Sequence, residues 1–299
     1  MKTGFVAMVG LPNAGKSTLV NALVGEKVGI ISKKPQTTRK RVLGIYNEPD
    51  AQLVFIDAPG SVKADSGLNH FLQRELESVI KDADVCLAIL NLDAEKSTDL
   101  MAVVDLVKTS KKPWLAVLTK TDIDRKINQG LREDKLRSQL LNEGVPVLSG
   151  SALNGADKLK SKLLPMIKEI MPASQAPLFT EEIYTTQSTR DLVAEIVREK
   201  CFEYLHQEVP YGLAVKVVKY DESHSVPKIY VDIVVAKANF VSMVVGRGGA
   251  MIKRIGASSR IECERLLGQK IYLETKVKLK ENWIKNPEIM KELGYVITD

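Results

Sequence analysis

Three cysteines in 299 residues, Cys86, Cys201 and Cys263, are too few, too far apart and odd in number to build a disulfide framework. Each sits inside an apolar run, so reduced, buried thiols of a cytosolic protein are the expectation. Histidine is equally scarce. His70, His206 and His224 are scattered, which leaves no metal cluster and no histidine-based nucleophilic triad to propose. Long apolar runs are missing too, because a charged or polar residue interrupts each one before it could span a bilayer. No basic-then-apolar leader precedes the strand-like run at residues 5–9, so neither membrane spanning nor secretion is expected.

What is present is an ordinary globular composition, 44% hydrophobic and 27% charged, at a length that suits about two domains with a core each. The net charge of +6 is unevenly spread. Residues 228–280 hold eleven basic side chains against four acidic ones, a surplus larger than the net charge of the whole chain. A phosphate-bearing partner is therefore expected on the C-terminal part.

The N-terminal half alternates strand-like runs at 5–9, 53–56, 85–90, 114–118 and 145–148 with amphipathic helical stretches at 68–80, 99–109, 131–142 and 158–171. That alternation predicts a parallel sheet with helices on both faces. Residues 41–46 are shorter and more polar, as an edge strand would be, and lead through Glu48-Pro49-Asp50 into the next strand as a hairpin. In such a sheet ligands bind beyond the carboxyl ends of the strands. The motifs fall there.

Between the first strand and the first helix stands Gly10-Leu11-Pro12-Asn13-Ala14-Gly15-Lys16-Ser17, followed by Thr18. Gly10 and Gly15 let successive N–H groups curl around phosphate oxygens at the positive end of the helix. Lys16 can reach the β- and γ-phosphates, and the Ser17 hydroxyl can ligate Mg²⁺. Asp57-Ala58-Pro59-Gly60 places a carboxylate at a strand end, suited to a Mg²⁺ contact through water, and an unobstructed N–H near a γ-phosphate. Thr119-Lys120-Thr121-Asp122 follows another strand. Asp122 can accept from the N1–H and exocyclic amine of guanine, a donor pair that adenine lacks, while the Lys120 stem lies along the base plane. Ser151-Ala152 can present a backbone N–H to the guanine O6, where an amino group would be rejected.

The breaker-rich stretch at 171–177 marks a boundary, giving a nucleotide-binding part at 1–172, a linker at 173–189 and a second domain at 190–299. The second domain reads as a helix at 191–205, strands at 213–220 and 228–236, a helical stretch at 250–267 broken at Gly256, and a strand at 270–279. With a short helix ahead of Gly246, the order is helix, strand, strand, helix, helix, strand, that of a type II KH domain. Gly246-Arg247-Gly248-Gly249 is then a GxxG loop, whose N–H groups clamp the phosphates of about four nucleotides. Arg247 stands at its tip, and Lys253 and Arg254 follow one turn on. Asn286 and Pro287 are the expected start of a final short helix.

With GLPNAGKS, QTTR at 36–39, DAPG, TKTD and SA in order, and a KH-like half behind them, the sequence resembles the Era family of GTPases over essentially its whole length. The resemblance implies an α/β P-loop GTPase domain with a mainly parallel sheet, followed by an α+β type II KH domain. It implies hydrolysis of GTP to GDP, binding near the 3′ end of small-subunit (16S) ribosomal RNA, and assistance to assembly of the 30S ribosomal subunit by a monomer. By the same resemblance Thr37 or Thr38 closes on Mg²⁺ and the γ-phosphate when GTP is bound. Thr38 is the favoured ligand, although spacing does not separate two adjacent threonines. Thr119 stands where the family usually has Asn, and should lose a brace on the phosphate loop and weaken binding. Ala58 stands where the family usually has Thr. Ser61 occupies the place of the catalytic glutamine of other GTPases, implying slow hydrolysis with water held by backbone and ions. Asn13 is a candidate contact for K⁺. Two rivals stand beside this reading: a nucleotide-gated RNA-binding module with negligible hydrolysis, and a GTPase held peripherally on the inner face of the cell membrane by its basic surface.

Overall fold

The computed structural model describes all residues except 33, 36, 61–66, 124–126 and 297–299, with the backbone alone at 127–129 and 131. It divides into two compact units, residues 1–63 with 72–186, and residues 64–71 with 187–299.

To residue 186 the elements are β1 (Lys2–Gly10), α1 (Lys16–Val24), β2 (Val42–Glu48), β3 (Ala51–Asp57), α2 (Gly67–Asp82), β4 (Val85–Asn91), α3 (Ser97–Thr109), β5 (Trp114–Thr119), α4 (Ile127–Asn142), β6 (Val147–Ser149) and α5 (Ala156–Ile170). The sheet order is β2-β3-β1-β4-β5-β6. All neighbours are parallel except β2, which pairs antiparallel with β3 through the predicted hairpin. Along β1, Ala7 and Val9 enter one apolar layer while Val6 and Met8 enter the other, and all four are fully buried. A strand covered on both faces needs an apolar residue at every position, which is why these strands read as unbroken runs. One layer packs Val79, Val103 and Leu140 from the helices against the sheet, and the other packs Leu19, Leu163 and Ile167. Each fully buried aliphatic side chain contributes about 1.5–3 kcal/mol. The result is a rigid frame that holds the carboxyl ends of β1, β3, β5 and β6 in fixed positions.

Residues 173–186 run along this unit. The Ile45 N–H donates to the Tyr184 carbonyl at 2.9 Å, and Gln52 Oε1 accepts from the N–H groups of Leu178 and Phe179 at 2.7 and 2.9 Å. The segment thereby satisfies the Ile45 N–H, which the edge strand β2 would otherwise leave bare, while the Gln52 side chain satisfies two N–H groups of the segment.

The second unit continues with α6 (Thr189–Tyr204), β7 (Leu213–Asp221), β8 (Lys228–Val235), α7 (Ala238–Val245), α8 (Ala250–Leu267), β9 (Tyr272–Leu279) and α9 (Pro287–Glu292). Its sheet runs β7-β8-β9, with β7 antiparallel and β9 parallel to β8. Ile229, Val231, Ile233 and Val235 alternate into a core with Val193, Val197, Phe240 and Ile255. This is the element order expected of a KH domain. One expectation is corrected, because α8 runs unbroken through Gly256. Ile255, Ser259 and Cys263 of the same helix are buried, Ile255 and Cys263 in the core, so its packing spans the glycine. That packing outweighs the cost of glycine in a helix, about 1 kcal/mol. Asn286 caps α9 as expected, its Oδ1 accepting from the N–H groups of Glu288 and Ile289. The three cysteines are buried free thiols, and burial pushes Cys201 up to about 12. No helix among the described residues is long and apolar enough to cross a membrane.

Candidate functional site

A cleft of about 730 Å³ opens at the carboxyl ends of β1, β5 and β6. Its walls carry Pro12, Asn13, Ala14, Gly15, Lys16, Ser17 and Thr18 from the first loop, Thr37 and Thr38, Gly60, then Thr119, Lys120 and Asp122, and finally Ser151 and Ala152. Five segments spread over the first half of the chain thus meet in one place. Of the other residues expected there, Gly10 and Leu11 reach the site through their carbonyls, and Asp57 is fully buried at the end of β3.

The first loop turns through left-handed backbone at Asn13 (φ 64) and Gly15 (φ 90) into α1. Lys16 folds back over it, with Nζ donating to the carbonyls of Gly10 at 3.2 Å and Leu11 at 2.9 Å. Burial pulls this ammonium down to about 8, against the opposing pull of Asp57. A desolvated cation in that state gains strongly from an arriving phosphate. Gly60 presses on the same loop: a Cβ there would sit 2.4 Å from the Pro12 nitrogen, so any larger residue would force the two segments apart.

Ser17 Oγ and Thr38 Oγ1 lie 3.0 Å apart, and Thr38 Oγ1 donates to Asp57 Oδ2 at 3.3 Å. The Thr37 hydroxyl instead donates to the Lys34 carbonyl at 2.7 Å. Thr38, not its neighbour, therefore faces Ser17 and Asp57. Two hydroxyls and one carboxylate form a hard, oxygen-only donor set with a single protein charge. That suits Mg²⁺, which retains waters and takes further oxygens from a bound phosphate. Among the described residues no cluster of three or more His, Cys, Asp or Glu side chains offers a competing metal site.

At the far end of the cleft Thr119, buried at the end of β5, donates from Oγ1 to the Ala14 carbonyl at 2.8 Å. The brace expected to be lost with the family's Asn is present, because β5 ends close enough to the first loop for a short hydroxyl to reach it. Lys120 takes left-handed backbone (φ 63) and pairs with Asp93 at 2.8 Å. Asp122 Oδ2 accepts from Asn154 Nδ2 at 3.2 Å. Ser151 Oγ accepts from the N–H groups of Leu153 and Asn154 at 3.1 and 3.0 Å, shaping the turn that brings Ala152 to the cleft.

Several lining residues escaped the sequence reading, among them Ile30, Ile31, Asp93, Ile123 and Leu153. The apolar ones carry no motif. Asp93 did carry a signal, since it stands just past an apolar strand run, as Asp57 and Asp122 do. Asn21 was missed as well; its Oδ1 accepts from the N–H groups of Val28 and Gly29 and fastens the chain after α1. Gln36 and Ser61 lie outside the described residues.

In the second unit Gly246 ends α7 with φ 73, and a Cβ there would meet the Met251 Cβ at 2.6 Å. Gly248 (φ 57) faces open space, and Gly249 (φ 79) starts α8. Arg247, Gly248 and Lys253 are exposed. Arg254 lies over the Tyr204 ring, 4.2 Å from its centroid. The N–H groups of Gly249 and Ala250 close this turn on the carbonyls of Gly246 and Arg247, at the N-terminus of an 18-residue helix whose positive dipole end favours an anion.

Fold and sites together define a P-loop GTPase joined to a KH domain. A family model described as a 50S ribosome-binding GTPase matches residues 5–120, and a KH domain model matches residues 208–284. The chain belongs to the Era family: it is 38% identical to GTPase Era of Geotalea uraniireducens over 98% of each chain. GTPase Era of Neisseria meningitidis serogroup B is 36% identical over 98% of this chain and 94% of its own. Two crystal structures at 34% identity cover 99% of both chains. One is a variant of Aquifex aeolicus Era bound to GDP and AlF4⁻, with a TM-score of 0.91. The other is Era in complex with MgGDPNP and nucleotides 1506–1542 of 16S ribosomal RNA, with a TM-score of 0.90.

Proposed function

We propose that this chain is a GTP-switched RNA-binding protein that binds the 3′ region of 16S ribosomal RNA and assists assembly of the 30S subunit. The observation that carries the reading is the convergence of Thr38 with Ser17 and Asp57 in the cleft that also holds Asp122. A metal position, a switch threonine and a guanine-reading carboxylate then serve one ligand. In this reading Lys16 turns from its carbonyl partners to the β- and γ-phosphates, and Asp122 accepts from guanine. Ser17, Thr38 and Asp57 hold Mg²⁺, which when bound neutralises charge on the phosphate oxygens. Loss of the γ-phosphate removes one reason for Thr38 to stay, which is how hydrolysis resets the segment.

Residues 1–172 form the GTP-binding part and residues 190–299 the RNA-binding part. Gly246 to Gly249 clamp the RNA backbone, with Arg247, Lys253 and Arg254 supplying positive charge. The related complex with MgGDPNP and 16S ribosomal RNA supports both the magnesium and the choice of RNA. Hydrolysis is slow, because Ser61 is too short to orient water as a glutamine does, and Asn13 contributes to a K⁺ contact that compensates. Crosslinking to ribosomal RNA, mapped to single nucleotides, tests the RNA assignment, and crosslinks scattered away from the 3′ end would overturn it. Single-turnover hydrolysis with and without that RNA, in potassium and in sodium buffer, tests the rest. Undetectable turnover in every arm would favour a binding module over an enzyme, and equal rates in the two salts would remove the K⁺ contact.

A further inference from the structure

Asp93 lines the nucleotide cleft and belongs to none of the five motifs. It sits in the turn after β4, and that turn is bonded on both sides of it. The Leu92 N–H donates to the Thr119 carbonyl and the Ala94 N–H to the Asn91 carbonyl, each at 3.1 Å. From α4, Arg132 Nη1 donates to the carbonyls of Leu92 and Ala94. The carboxylate is fixed as firmly as the backbone. Asn91, itself 5% exposed, donates from Nδ2 to Asp93 Oδ1 at 2.6 Å. The other oxygen, Oδ2, accepts from Lys120 Nζ at 2.8 Å. Burial works against ionisation of Asp93, but the bonds from Asn91 and Lys120 outweigh it and hold the group below the usual carboxylate range.

Lys120 has the opposite character. Its stem is long and only partly covered, and fixing it over a base costs rotamer freedom unless something else holds the ammonium. We propose that Asp93 is a positioning residue for base binding: it anchors the Lys120 ammonium so that the aliphatic stem stands ready as one wall of the purine slot. The device acts on the face of the ring. It is therefore indifferent to the edge that Asp122 reads, and it serves GTP and GDP alike. This rests on the guanine-nucleotide reading of the cleft.

The test is a double-mutant cycle in the full chain, with GDP and IDP as ligands, since inosine lacks the exocyclic amine but offers the same ring face. Asp93→Asn is expected to weaken both nucleotides by the same factor, about fivefold to tenfold, as befits a partly exposed ion pair that holds a side chain in place. Lys120→Met, which keeps a stem but loses the ammonium, is expected to reproduce the loss. In that background Asp93→Asn should add less than about twofold. A role confined to shaping the turn would instead make the two losses add. Additive losses, a factor that differs between GDP and IDP, or unchanged affinity in both single variants would overturn the role of Asp93. Failure of the wild-type chain to bind GDP would overturn the guanine reading itself. Asp93→Glu, which keeps a carboxylate for the Lys120 ammonium, is expected to lose less affinity than Asp93→Asn, a rescue that a role confined to shaping the turn would not show.

Discussion

Replacing Thr119 by Val keeps the branching and most of the volume of the side chain and removes one hydroxyl. That hydroxyl is the donor to the Ala14 carbonyl, at 2.8 Å, between two residues that are at most 3% exposed. Water has little access to either side, so the carbonyl is left without a partner, which costs about 1–3 kcal/mol. Where that cost appears depends on the state of the phosphate loop in the free protein. If the loop relaxes when empty, the cost is deferred to binding, and GDP affinity falls by about fivefold to 150-fold. If the loop stays as it is, the cost falls on folding, at about 2–4 °C of melting temperature per kcal/mol for a unit of this size. Calorimetric titration with GDP and thermal melting of the empty and saturated protein measure both. Thr119→Ser, which keeps the donor, should stay within about threefold of the wild type in affinity. Wild-type values of both affinity and melting temperature in Thr119→Val would refute the brace.

Asp122→Asn exchanges an acceptor for a donor, so preference should move from GDP toward XDP, with GDP weakened by about a hundredfold; competition binding measures the ratio, and unchanged GDP affinity would contradict the role of Asp122. Lys16 gives a pH signature. Its value in the free fold, about 8, lies below the unfolded value of about 10.5. Between those values the unfolded chain holds a proton that the fold does not, so stability of the empty protein should rise with pH there, while the burial cost is fully present below about pH 8. A bound phosphate favours the ammonium, so GDP affinity should fall as pH rises through about 8; a flat profile from about pH 7 to about pH 9 would contradict it. In the second unit, Arg247→Glu with Gly248→Asp should weaken RNA binding at least about tenfold. Residue 248 faces open space and holds left-handed backbone (φ 57), which Asp tolerates better than most residues, so the melting temperature is read beside a gel-shift titration, and unchanged RNA affinity would remove the loop from the RNA interface.

The parallel sheet was legible because its strands are buried on both faces and so appear as unbroken apolar runs, and the motifs were legible because each follows such a run. Asp93 follows one too, yet nothing in its local sequence distinguishes it from a turn aspartate; its meaning lies in Asn91, Arg132 and Lys120, which only the fold assembles. Thr38 and Thr37 are equivalent in sequence and become different through the partners they meet, Ser17 and Asp57 for one and the Lys34 carbonyl for the other. Gly256 misled because a glycine inside a helical pattern reads as a break, whereas here the buried residues Ile255 and Cys263 on either side of it hold the helix through it. Local composition reveals where chemistry stands, while contacts between distant segments decide which of two similar residues performs it.

The nucleotide in the first unit is expected to govern RNA binding by the second. The most direct test is the affinity of the full chain for a 16S ribosomal RNA 3′-end fragment, measured in Mg²⁺ with GDP and with a non-hydrolysable GTP analogue. Tighter RNA binding with the analogue, by about tenfold and abolished by Thr38→Ala, is the predicted result. Equal affinity in the two nucleotide states would contradict the switch and leave two functions that merely share a chain.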